Sequence, residues 1–167
     1  SILSTAAKKN IPVFCPAISD SGIGLSLAWH TQKRKEQEQK SILIDTIQDN
    51  LEILKLKIES KKSGAIHIGG GVPKNYIQQI APLAEILNIK TSPHSYGVQI
   101  TTDDPKWGGL SGCTFSESQS WGKYADNARF AIVYMDATIG LPLLFTACLE
   151  MKKTWYPRKA MKIDFSK

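Results

Sequence analysis

The sequence predicts an α/β fold, a three-layer Rossmann-like arrangement in which a parallel sheet carries helices on both faces. Three observations predict it. Four short apolar runs, Ile11–Cys15, Ala65–Ile68, Gly97–Thr102 and Phe130–Met135, have the length of strands rather than helices. Segments of helical spacing fill the chain between them. Each run also opens into a loop that carries polar groups, glycines or both. At 167 residues the chain suits one domain with a core of its own, over 1–167.

In chain order, Ser4–Asn10 reads as the end of a helix that Asn10 can close. Ile11–Cys15 reads as a buried parallel strand with Pro12 near its start. The loop Pro16–Gly22 follows, and a helix begins over Leu25–His30. The polar stretch Gln32–Lys40 is either a loop or an exposed helical extension. Asp45–Lys57 returns to helical spacing through Ile47, Leu51, Ile53, Leu54 and Ile58. Ala65–Ile68 is the second strand, and Gly69-Gly70-Gly71 turns from it into a helix opened by Pro73. Gly97–Thr102 is the third strand. A glycine-rich loop, Asp103–Cys113, leads to the capping box Thr114-Phe115-Ser116-Glu117, where a helix starts. Phe130–Met135 is the fourth strand, and an apolar helix from about Ile139 to Met151 is expected to be buried.

Composition narrows the function. No apolar run approaches the roughly 20 residues of a membrane helix. The net charge of +6 comes from scattered lysines and arginines with no interleaved aromatic platform, which favours a solvated surface over a nucleic-acid partner. Three widely spaced cysteines, Cys15, Cys113 and Cys148, form neither a disulfide framework nor a zinc pattern, so reduced thiols in a cytoplasm are expected. No metal site is expected, because His30 and His94 lack partners at ligand spacing, and His67 reads as a core histidine. The chain opens Ser1-Ile2-Leu3-Ser4 without methionine and without a signal pattern, which suggests a piece of a longer protein.

In a parallel sheet, ligands bind beyond the carboxyl ends of the strands. Gly69-Gly70-Gly71 either brings backbone N–H groups to a phosphate or is simply a tight turn. Asp20 and Asp136 each follow a strand, where a carboxylate can take ribose hydroxyls or cap a helix. Glu117, Trp121 and Lys123 lie within seven residues: an acid that also closes the capping box, an indole that is core or a cation wall, and a lysine that is surface or nucleophile.

Taken together, these loops resemble the deoxyhypusine synthase family. The resemblance runs from Ile2 to about Leu149. It rests on Ile11–Ala17 with Asp20, Gly69-Gly70-Gly71-Val72 with Lys74, Ser120-Trp121-Gly122-Lys123, and Tyr134 with Asp136-Ala137, in that order. It implies an enzyme that uses NAD to oxidise spermidine. The aminobutyl group passes as an imine to a lysine, here Lys123, and then to a lysine of a translation factor precursor. By the same resemblance Glu117, Trp121, Asn75, Gly108 and Gly109 fall at amine-binding positions. Asp20, Gly70, Thr102, Asp103, Asp136 and Ala137 fall at NAD-contacting ones, although the family usually has a small residue where Asp103 stands.

The departures from the family pattern are specific. Leu25 and Leu110 stand where aspartates are expected, and Asn75 where a histidine is expected. Losing two acids from a polyamine pocket weakens it, since each charge-assisted hydrogen bond contributes roughly 1.5–3 kcal/mol. A different small amine is therefore an open alternative, as in homospermidine synthases. So is a non-catalytic NAD-binding or assembly protein. Family members are about twice as long and form tetramers. This chain is thus expected to be the carboxyl-terminal part of such a domain, in a homo-oligomer or completed by a missing amino-terminal half.

Overall fold

The computed structural model describes residues 1–157, apart from the Leu110 side chain. Packing divides the chain into two compact units, Ser1–Leu51 and a second from Glu52 onward.

In the first unit, α1 (Ile2–Lys8) is closed by Asn10, whose φ of 52° lets Ile11 N–H reach Ala6 O at 2.9 Å and Asn10 N–H reach Ala7 O at 3.2 Å. This pair of bonds is the Schellman pattern. The expected strand Ile11–Cys15 does not form. A strand exists only where another backbone accepts its ladder bonds, and among the described residues this segment pairs with none. Ile11 and Val13 are 58% and 55% exposed. The second helix, α2 (Gly22–Glu36), starts at Ser21, whose hydroxyl accepts from Gly24 N–H at 3.0 Å. It continues through most of the polar stretch, so the helical-extension reading holds.

The second unit contains most of α3 (Thr46–Glu59), which buries Ile53 and Leu54 and leaves Ile47 and Leu51 exposed. Its sheet has three parallel strands in the order β1 (Gly64–Ile68), β2 (His94–Thr101), β3 (Tyr124–Tyr134). Two of them begin earlier than expected, β2 at His94 and β3 at Tyr124. Between β1 and β2 runs a helix in two pieces, α4 (Gly71–Gln78) and α5 (Ile80–Ile86). Pro82 has no N–H to give the carbonyl of Gln78, which is where the helix divides. After β2 come a 3-10 turn (Pro105–Trp107) and the short helices α6 (Gly109–Gly112) and α7 (Phe115–Ser120). After β3 come α8 (Ala137–Glu150) and α9 (Lys152–Trp155).

Paired residues share a face, so Ala65, Gly97 and Phe130 lie on one side of the sheet and Ile66, Val98 and Ala131 on the other. The first side is packed. Phe115 of α7 stacks on Phe130 at 4.5 Å and meets Tyr124 edge-on at 5.2 Å. A Cβ on Gly97 would lie 2.6 Å from the Phe115 ring, so that ring sits on bare backbone. The second side is covered unevenly. Gly140 of α8 packs against Ile100, while Ile66 stays 64% exposed. The expected burial of α8 is also not seen: only Gly140 is buried, and Ile139, Leu143, Phe145 and Leu149 are exposed. An apolar helix is buried only where another element covers it. No helix among the described residues is long and apolar enough to cross a membrane.

Candidate functional site

Parallel pairing brings three loops to one edge of the sheet. After β1, Gly69 and Gly71 adopt φ of 71° and 66°, and Gly69 N–H donates to Ile100 O at 2.7 Å. A Cβ on Gly70 would lie 2.5 Å from Ser111 Cα, so this turn packs directly on α6. Gly70 begins α4 without any side-chain cap, which leaves the backbone N–H groups of its first turn open to an outside acceptor. After β2, Asp103 N–H donates to Thr101 Oγ1 at 3.0 Å, and Thr102 and Asp103 are exposed. After β3, Asp136 caps α8 by accepting from Thr138 N–H at 2.8 Å and Thr138 Oγ1 at 2.6 Å. Those hydrogen bonds hold its carboxyl below the usual carboxylate range. Gly70, Thr102, Asp103, Asp136 and Ala137 therefore share the carboxyl edge of the strands. Asp20 belongs to the first unit, exposed at the end of a turn in which its N–H donates to Ala17 O at 3.1 Å.

Behind this edge lies a buried polar clamp. Lys74 on α4 is only 3% exposed. Its ammonium donates to Gln99 Oε1 at 3.0 Å, Ser111 O at 3.2 Å and Cys113 O at 2.6 Å. Gln99 Nε2 in turn donates to Gly69 O at 2.9 Å and Ser111 O at 3.0 Å. All three ammonium hydrogens are thus used in joining the turn after β1 to α6 and the start of α7. Burial lowers the Lys74 pKa, Cys113 and Glu117 oppose that shift, and Lys123 adds to it. Cys113, Glu117 and Lys123 therefore all lie within electrostatic reach of this one amine. Asn75, next along α4, is half-buried, and Gly108 and Gly109 are exposed with φ of 75° and 77°.

Lys123 is positioned by the end of α7. Thr114 Oγ1 accepts from Glu117 N–H at 3.1 Å and starts the helix, as its capping box predicts. Trp121 ends it. Gly122 then takes φ of 66°, its N–H donates to Gln119 O at 2.9 Å, and Lys123 N–H donates to Ser118 O at 3.1 Å. This is again a Schellman closure, and it explains the glycine in Ser120-Trp121-Gly122-Lys123. Lys123 O then accepts from His94 N–H at 3.1 Å, which fixes the lysine just before β3. Its side chain is half-buried, with Nζ 6.0 Å from the Trp121 ring centroid. Trp121 is 67% exposed and Glu117 is exposed, so both face outward rather than into the core. The Lys123 backbone sits at the amino edge of the sheet. β2 separates it from the Thr102 loop by about 23 Å, seven residue steps of roughly 3.3 Å.

Two buried clusters have no counterpart in the sequence reading beyond isolated histidines. His67 Nε2 lies 2.9 Å from Tyr124 OH; burial, aided by Lys74, pushes its pKa down to about 4, and burial pushes the phenol up to about 12. The expectation of a satisfied core histidine is met. At the amino edge, Lys57 Nζ donates to Ser63 Oγ at 2.6 Å and approaches His94 Nδ1 at 3.2 Å, with Ser63 Oγ 2.9 Å from the same nitrogen. Burial lowers Lys57 to about 8, and burial with Lys57 and His67 lowers His94 to about 4. Lys57 and His94 line a cavity of about 260 Å³ that Trp121 and Lys123 also border. Helical spacing places Lys57 at the end of an amphipathic helix and gives no sign that α3 turns it inward. Among the described residues no group of histidines, cysteines and acids could hold a metal ion.

The family model for deoxyhypusine synthase matches residues 1–148. The chain is 45% identical over 150 residues to a probable deoxyhypusine synthase 2 of Methanosarcina acetivorans, covering 90% of this chain and 42% of that protein. It is 42% identical over 157 residues to a probable deoxyhypusine synthase 2 of Archaeoglobus fulgidus, covering 94% and 50% respectively. It is 41% identical over 165 residues to a deoxyhypusine synthase-like protein of Chlorobaculum tepidum, covering 98% and 46%. The chain thus spans about half the length of the curated relatives it matches.

Proposed function

Since the chain belongs to the deoxyhypusine synthase family, whose synthases are transferases, we propose that it is part of an NAD-dependent aminobutyl transferase working through Lys123. The carrying observation is the closure at Gly122, which holds a half-buried lysine beside Trp121 and within electrostatic reach of Lys74. An amine so held can add to the imine carbon of an oxidised amine, expel the remainder of that amine with the proton the lysine gives up, and retain the transferred group as a new imine. Spermidine or a related small amine is the donor, with Glu117 and Trp121 attracting its charge and Asn75, Gly108 and Gly109 bordering it. The acceptor is a protein lysine, such as that of a translation factor precursor, or a second small amine.

The residues at the carboxyl edge fit a dinucleotide. The uncapped N-terminus of α4 at Gly70 suits a pyrophosphate, and the exposed Asp136 carboxylate suits a ribose hydroxyl. Thr102, Asp103 and Ala137 border the same edge, and Asp20 contributes by the family resemblance. When bound, NAD takes up the hydride released by the amine. The protein's part is to hold the amine and to supply the Lys123 nucleophile. The protein works as a homo-oligomer, in the family a tetramer, with sites completed between chains.

Incubation with NAD and a panel of amines, borohydride reduction and peptide mass spectrometry test this reading. The expected result is a mass increment on the Lys123 peptide that Lys123→Arg abolishes. An unchanged adduct in Lys123→Arg would refute the assignment. A second reading, a non-catalytic NAD-binding protein of the same fold, is favoured by Leu25, Asn75 and Leu110 standing where the family has an acid, a histidine and an acid. NAD binding by calorimetry with no adduct from any amine would support it.

A further inference from the structure

We propose that the cavity at the amino edge of the sheet binds a small aliphatic carboxylate, its head on Lys57 and its chain against Ile77, Ile80 and Ala84. Lys57 is a cation only 7% exposed, and lysines are almost never so buried without a counter-ion. Its two hydrogen-bond partners, Ser63 and His94, are neutral, and no acid among the described residues lies within ion-pair distance of it. Taking an ammonium out of water without a compensating charge costs several kcal/mol. A ligand anion supplies what the protein does not.

The cavity's own chemistry agrees. Lys57, Lys90 and Lys123 border it against one acid, Glu85, so it repels a polyamine and attracts an anion. Ile77, Ile80, Ala81, Ala84 and Ile89 give it an aliphatic lining as well, and about 260 Å³ accommodates a chain of a few carbons. His94 Nδ1 faces the Lys57 ammonium, which can only donate, and burial with Lys57 and His67 nearby keeps the ring neutral, so that nitrogen is the acceptor. It therefore orients the Lys57 ammonium without competing for the anion. Burial leaves Lys57 with a pKa of about 8, so it is still mainly charged at neutral pH. The shared wall at Trp121 and Lys123 places a bound carboxylate next to the lysine of the transferase reading. The proposal does not depend on that reading, since neither NAD nor turnover enters its test.

The test is calorimetric titration with pentanoate at neutral pH, with pentylamine as the charge-reversed control. NMR of the chain carrying 13C-labelled lysines accompanies it. Pentanoate is expected to bind one to one, pentylamine not to bind, and the Lys57 titration midpoint to rise when pentanoate is present. Lys57→Met should weaken pentanoate binding about tenfold or more, the loss of one charge-assisted hydrogen bond. Ala81→Leu, which leaves Lys57 in place and narrows the cavity, should weaken it as well and keeps the test decisive if Lys57→Met folds poorly. Absence of pentanoate binding, binding of pentylamine as tight as that of pentanoate, or unchanged affinity in a folded form of either variant would overturn the proposal.

Discussion

Two buried lysines do different work in this chain. Lys74 spends its three hydrogens on Gln99, Ser111 and Cys113, so it acts as a clamp between loops. Lys74→Met strands the Cys113 carbonyl and the Gln99 amide oxygen in a buried site, while Ser111 O keeps its bond from Gln99 Nε2, and unfolding in urea should show a loss of about 3 kcal/mol. The buried histidines set an acid limit. His67 and His94 have folded pKa values of about 4 against an ordinary 6.5. The unfolded chain therefore binds more protons across that window, and stability is full above pH 6.5 and lost as the pH falls towards 4. Lys57 acts in the same direction at higher pH: stability should rise between about pH 8 and 10.5 as the unfolded chain alone remains protonated. Urea midpoints measured from pH 4 to pH 10.5 check both windows, and His94→Gln should flatten the acid one.

At the scale of elements, α7 carries the candidate nucleophile and is defined by its two ends. Thr114 starts it and Gly122 closes it, with the six helical residues Phe115–Ser120 between them. Nothing lies within 4 Å of a Cβ built on Gly122, so the only penalty of Gly122→Ala is its φ of 66°. That penalty is about 1 kcal/mol, modest for stability. Any relaxation of that φ, however, displaces Lys123, whose carbonyl is bonded to His94 N–H. Gly122→Ala is therefore expected to lower adduct formation at Lys123 more than it lowers the thermal midpoint. Equal proportional losses would show that the cap does not position the lysine. Thr114→Ala should cost about 1 kcal/mol from the other end of the helix, read as a drop in thermal midpoint.

At the scale of the whole molecule, apolar surface is left over. Ile139, Leu143, Phe145 and Leu149 on α8 and Ile66 on the open side of the sheet remain exposed, where most surfaces of this size keep such residues scattered. Sedimentation at increasing protein concentration should therefore show self-association of this chain. The double variant Leu143→Glu with Phe145→Glu should shift it towards monomer.

Local chemistry made several features legible in the sequence. Asn10 closing α1, the glycine turn after β1, the Thr114 cap and the satisfied His67 each depend on a few neighbouring residues and follow from their types. The placement of Gly70, Thr102, Asp103 and Asp136 on one edge followed from parallel alternation, a property of residue order. What failed was pairing and burial at a distance. Ile11–Cys15 has the composition of a strand but no paired backbone, and α8 has the composition of a buried helix but little to cover it. Lys57 and His94 lie 37 positions apart, and their meeting with Ser63 in one hydrogen-bonded cluster is written in no local pattern. By itself the sequence determined the turns, the caps and the alternation of three strands with helices after residue 64, because those rest on backbone conformation and on spacing. Only the tertiary structure decided which strands pair, which apolar faces stay open and which lysines lose their water, because those depend on what packs against them.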